Sequence, residues 1–152
     1  MGSILAGAVM TFFEAPHIDN IDLDDKMFSG QSWRERWPNF KPYELCSPDT
    51  KSLKVYLPAL DALQAVRIAF GKPMNITSAY RTVAHNARVG GVKGSQHVKG
   101  RAFDIALARK SDGPLLERLA AEKGFVGIGR YGARRFIHID MRTGNNARWG
   151  RW

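Results

Sequence analysis

The sequence predicts an α+β domain in which helices come first and a mostly antiparallel sheet dominates the second half. Three observations carry this. Leu53, Leu57, Leu60, Leu63, Val66 and Phe70 recur at helical spacing. Short β-prone stretches gather after residue 74, and glycines and prolines punctuate the chain between them.

Taken in order, residues 1–32 read as an acidic N-terminal arm, with Pro16 and Gly30 and little periodicity, and the main domain is expected over 33–152. Residues 33–46 (WRERWPNFKPYELC) mix aromatics with prolines, and Trp33, Trp37, Phe40 and Tyr43 are expected to pack as an irregular lid on the core. Ser47 and Asp49 are good helix N-caps, so a helix is expected from there to Phe70, kinked or restarted at Pro58 and closed by Gly71. A strand is expected over 74–80, a short helix over 82–89, and a flexible loop marked by Gly90, Gly91 and Gly94. A second strand (101–107) follows. Asp112 and Pro114 open a helix that runs to Lys123 before Gly124, and strands near 126–131 and 135–141 complete the pattern.

The chain has 152 residues, enough for one domain with a core of ordinary size. Cys46 is the only cysteine, which excludes an internal disulfide and a cysteine-built zinc site. Net charge is +9, but residues 1–32 carry −4, leaving +13 on residues 33–152. Such a surface favours polyanions, among them nucleic acid, anionic lipid and anionic cell-wall polymer. No apolar run reaches the roughly 18 residues of a membrane span. Residues 4–13 resemble a short signal-peptide core, yet they lack a preceding Lys or Arg and a clear cleavage site, and Met10 offers an alternative start.

Strand periodicity locates the chemistry. Phe103, Ile105 and Leu107 share one face, leaving Asp104 with Ala102 and Ala106 on the other; Ile137, Ile139 and Met141 share a face opposite Phe136, His138 and Asp140. A carboxylate inside an apolar strand demands a cation, a metal or several donors. For one Asp, a salt bridge to Arg101 or Arg135 suffices. For Asp104, His138 and Asp140 together, with His97 seven residues before Asp104, a metal is the better account. Imidazole and carboxylate bind zinc at about 2.0–2.2 Å, and three protein ligands with an open fourth position make a catalytic site.

Residues 95–104 read Ser-Gln-His-Val-Lys-Gly-Arg-Ala-Phe-Asp. They match SxHxxGxAxD, the signature of the zinc D-Ala-D-Ala carboxypeptidase family, which is related in fold to lysostaphin-type peptidases and the hedgehog signalling domain. Ser78-Ala79-Tyr80-Arg81-Thr82, with Asn86 beyond, resembles the family's SGYR(S/T)xxxN segment, and Phe136-Ile137-His138-Ile139-Asp140 its last ligand strand. The resemblance covers residues 36–152. It implies a zinc cofactor held by His97, Asp104 and His138. It also implies that Arg81 contacts the substrate carbonyl or carboxylate, that Ser95 supports the ligand loop and the substrate site, and that Gly100 gives backbone room. Many members carry Glu or Asp three residues before the final His; here Arg135 stands there. Others use His-x-His, where this chain has His138 and Asp140. Either His138 binds zinc and Asp140 acts as base or orients a partner, or Asp140 binds zinc and His138 shuttles protons. Imidazole is the commoner ligand, which favours the first. His85 is a weaker candidate for the shuttle.

The resemblance implies a peptidase acting on the peptide stems or cross-links of peptidoglycan, as a carboxypeptidase or endopeptidase. Small size, no convincing signal and high basicity suit a phage-type lysin or a virion-associated wall hydrolase, and export is the other route by which it would reach the wall. Two other classes compete with it. One is a zinc-bearing binding domain without catalysis, for which the missing acid at Arg135 speaks. The other is a basic nucleic-acid-binding module, suggested by Trp149 and Trp152 among Arg148 and Arg151; it is disfavoured because it leaves Asp104 and Asp140 without purpose.

Overall fold

A computed structural model describes residues 10–152. It has the expected α+β architecture. Five strands form the main sheet: β3 (Asn75–Ser78), β4 (Ala102–Ala106), β5 (Gly127–Tyr131), β6 (Phe136–Asp140) and β7 (Ala147–Arg151). Their spatial order is β3-β4-β6-β5-β7, antiparallel except for the parallel β5–β7 pair at one edge. A separate antiparallel ribbon joins β1 (Phe12–Ala15) to β2 (Leu53–Tyr56).

One face of the main sheet is the core face. Phe103 and Ile105 of β4, Ile137 and Ile139 of β6, and Ile128 of β5 are buried there. Helices α3 (Leu57–Phe70) and α5 (Asp112–Glu122) add Leu60, Leu63, Val66, Leu116 and Ala120 to the same core. The alternation expected for β4 and β6 therefore holds, and their opposite faces are free to carry ionisable groups.

Three sequence expectations change. The helix expected from residue 47 begins at Leu57, because Pro58 fits the first turn, where its missing N–H is harmless. Leu53, which fits the helical period, is instead an inward position of β2, as is Val55. Ser47 and Asp49 cap no helix there; Ser47 Oγ donates to Asp49 at 2.6 Å, and the pair anchors Thr82, the N-cap of α4 (Val83–Arg88), through bonds of 3.0 and 2.7 Å. Strand β7 was not foreseen.

Residues 12–32, expected as an arm, lie on the domain. Phe13 of β1 and Phe28 are buried and pack edge-on against Trp33 and Trp37 at ring distances of 4.8–6.1 Å. Residues 4–9 of the signal-like run lie outside the described residues. Ser32 and Glu35 form a capping box on α1 (Trp33–Arg36), and α2 (Pro42–Leu45) follows. Trp33 donates its indole N–H to the Phe40 carbonyl and Trp37 to Asp61, each at 2.9 Å. These aromatics are core, not a stacking surface, although Tyr43 is 64 % exposed and does not join them. Cys46 is buried and unpaired.

Candidate metal centre

A single row of residues crosses the sheet on the face away from the core. Backbone register pairs Ser78 with Asp104, Asp104 with His138, His138 with Gly129, and Gly129 with Trp149. Side chains at paired positions on one face are neighbours, so the carboxylate and an imidazole meet by register alone. His97 comes from the preceding loop. That loop turns back at Gly100, whose φ is +71° and whose site leaves no room for a Cβ, which would lie 2.7 Å from the Lys54 carbonyl.

His97 Nε2 lies 3.2 Å and His138 Nδ1 2.9 Å from the same oxygen of Asp104. One donor atom from each of the three residues lies within 4.8 Å of the others, and all three residues belong to one buried group. The remote nitrogens decide what the near ones can do. His97 Nδ1 is 2.7 Å from the Ala79 carbonyl, which only accepts, so Nδ1 carries the proton and Nε2 offers a lone pair. His138 Nε2 is 2.8 Å from the Asp140 carboxylate, which likewise draws the proton to Nε2 and leaves Nδ1 as an acceptor. Two imidazole lone pairs and a carboxylate thus converge. That arrangement needs a cation, either added protons or a metal. A tetrahedral zinc with bonds near 2.1 Å has ligand–ligand edges of about 3.4 Å, and the two separations here are 3.2 and 2.9 Å. The donor set fits zinc.

Burial pushes the Asp104 carboxyl upward, but its contacts with His138 and His97 outweigh this and hold it well below the usual carboxylate range. Burial also works against a charged His138, yet Asp104 and Asp140 together raise its pKa. Asp140 has no exposed surface. Arg142 donates to it from Nε, Nη2 and the backbone at 2.9, 2.7 and 3.0 Å. Burial raises the Asp140 pKa, and His138 and Arg142 more than reverse this.

The cluster opens into a cleft of about 530 Å³. Arg81 lines it, its guanidinium bonded to Ser78 at 2.9 Å and to Asn86 at 3.3 Å, and 3.4 Å from the second Asp104 oxygen. Ser95 lines it too, but its Oγ accepts the His97 backbone N–H at 3.2 Å and so shapes the ligand loop. On the far wall Trp149 approaches the His138 ring at 5.4 Å and donates its indole N–H to the Tyr131 hydroxyl at 3.0 Å. Tyr131 stacks on Phe136 at 4.2 Å. The sequence reading missed this aromatic wall and Arg142; the Trp149 indole crosses Gly129, a neighbour visible only once β7 is placed. His85 does not line the cleft. Arg135 turns outward toward the Ala108 carbonyl.

A carboxylate and two oriented imidazoles on a sheet face, open to a cleft, define a metallohydrolase type of centre. The family model described as Peptidase M15 matches residues 39–140, and the chain belongs to that family of zinc-dependent peptidases. No curated protein matched the chain. The matched span holds the whole His97–Asp104–His138 cluster, Arg81 and Asp140; it excludes β7 with Trp149.

Proposed function

We propose that this chain hydrolyses peptide bonds in the stems or cross-links of bacterial peptidoglycan, using zinc held by His97 Nε2, Asp104 and His138 Nδ1. The observation that carries the reading is the convergence of the Asp104 carboxylate with two imidazole nitrogens whose ring protons are drawn to the far side by Ala79 and Asp140. Zinc bound there supplies a Lewis acid that activates water and polarises a carbonyl. Asp140 is a positioning residue: it holds the His138 Nε2 proton, and Arg142 saturates its oxygens inside the fold, away from a base's place in the cleft. Arg81 lies beside the cluster with a guanidinium fixed by Ser78 and Asn86, suited to steadying a carbonyl oxygen as charge develops on it. The basic surface concentrates the protein on anionic wall polymer. The proposed place of action is the wall, reached by phage release, from a virion or by export.

A second reading keeps the zinc and drops the turnover. Among the described residues, Asp104 is the only carboxylate that lines the cleft, and it belongs to the metal cluster. A domain that binds wall peptides without cutting them would need no more. A nucleic-acid module gains nothing, since Trp33, Trp37 and Phe40 are buried and Trp152 donates its indole N–H to Glu117.

The test is mass spectrometry of muropeptides incubated with the zinc-loaded protein, the chelated protein and His97→Ala. The proposal expects a defined peptide-bond cleavage from the first alone. Tight zinc with no cleavage favours the binding domain, and cleavage that ignores chelation contradicts the zinc mechanism.

A further inference from the structure

The β5–β6 turn carries two adjacent arginines, Arg134 and Arg135, and the structure separates them. Arg135, with φ +54°, leans out toward the Ala108 carbonyl. Arg134 lines the cleft. Its guanidinium lies 5.2 Å from the centre of the Phe136 ring, a cation–π contact that steadies it on the wall where Phe136 stacks with Tyr131.

The three arginines of the cleft differ in what they already hold. Arg142 is committed to Asp140 through two side-chain bonds, and Arg81 faces Asp104 at 3.4 Å. Arg134 has neither a carboxylate partner nor a side-chain hydrogen bond among the described residues, so its donors are free. Among the described residues, the one carboxylate that lines the cleft, Asp104, belongs to the metal cluster. A cleft with this balance repels cationic peptides and attracts anionic ones. A guanidinium presents paired N–H groups that match a carboxylate, and one braced on an aromatic ring loses less freedom on binding.

We propose that Arg134 is a specificity-determining residue that takes a carboxylate of the substrate. The inference rests on the peptidase reading and deepens it: the preferred substrate is a peptide with a free carboxylate beside the bond that is cut, in place of its amidated form. Arg134 stands on the turn side of the cleft and acts in addition to Arg81. Because Arg134 is exposed, the preference it confers weakens as salt is added.

The experiment compares a synthetic L-Ala-γ-D-Glu-L-Lys-D-Ala peptide bearing free carboxylates with its fully carboxamidated form. Binding of each to the metal-free protein is measured by calorimetry, alongside zinc-dependent cleavage of muropeptides by the same variants. Wild type should bind the carboxylate form more tightly, and Arg134→Gln should reduce that preference by roughly threefold to tenfold. Arg134→Lys should keep part of it, and Arg135→Gln should keep all of it. Preference unchanged in Arg134→Gln, equal binding of the two peptides by wild type, or binding of neither overturns the assignment. Failure of wild type to cleave muropeptides would overturn the peptidase reading, and is scored separately from the binding preference.

Discussion

Asp104 and His138 occupy paired positions of β4 and β6, and the carboxylate oxygen stands 2.9 Å from the imidazole Nδ1. The ladder that pairs the two strands also aims both side chains at one point, so the cluster is set by sheet register. What register does not set is the ring's tautomer. Asp140, two residues along the same strand face, does that from the other nitrogen.

Asp140→Asn therefore should weaken zinc without abolishing it. An amide can still accept the Nε2 proton, but it carries no charge to favour that tautomer. Loss of such an outer partner lowers metal affinity by about 10–100-fold. Competition with a chromophoric chelator reads the affinity, and a change below twofold would mean that Asp140 does not orient His138.

Gly129 stands between His138 and Trp149 in the cross-sheet row, and a Cβ there would lie 2.6 Å from the Trp149 indole nitrogen. Gly129→Ala should push the indole off the strand and break its bond to Tyr131. The overpacking should cost about 1–3 kcal/mol in denaturant unfolding. Trp149→Ala in the same background should relieve most of that cost, a coupling that a double-mutant cycle measures.

Phe28 lies in the segment that composition marks as an arm, yet it is 1 % exposed and meets Trp37 at 4.8 Å. Phe28→Ala should cost about 3–5 kcal/mol, the usual price of emptying a buried aromatic site. A loss under 0.5 kcal/mol, normal for a surface position, would detach this segment from the core.

Glu117 ties the sheet edge together. It accepts from Arg130 at 2.9 and 2.6 Å and from the Trp152 indole at 3.0 Å. The bond from Arg130 lowers its pKa most; burial opposes, and Trp152 adds to the lowering. A lowered carboxyl contributes stability that is present above its unfolded pKa of about 4.3 and is lost as pH falls through the folded value. Glu117→Gln should lose about 1–2 kcal/mol at pH 7 and less at pH 3, as the charged hydrogen bonds disappear. A deficit that does not change with pH would show that the charge contributes nothing.

Much of the site was legible because its signals are local. The spacing of His97, Gly100 and Asp104, the alternation in β4 and that in β6 are each written within ten residues of chain, and the structure brings His97, Asp104 and His138 together accordingly. What escaped depends on distant partners. Leu53 fits the helical stripe that follows it as well as a strand until β1 is seen beside it. Residues 147–151 (ARWGR) carry no apolar alternation, so β7 is defined by β5 and by the indole that crosses Gly129. The burial of Asp140 under Arg142 could not be read from a strand pattern that treats every residue on one face alike.

The central claim is that His97, Asp104 and His138 converge on one metal ion, and zinc titration of the metal-free protein tests it most directly. Calorimetry should give one tight site per chain. That site should vanish in His97→Ala and Asp104→Ala while the folded structure persists by circular dichroism. No tight site in the wild-type protein, or the same site in His97→Ala, would contradict it.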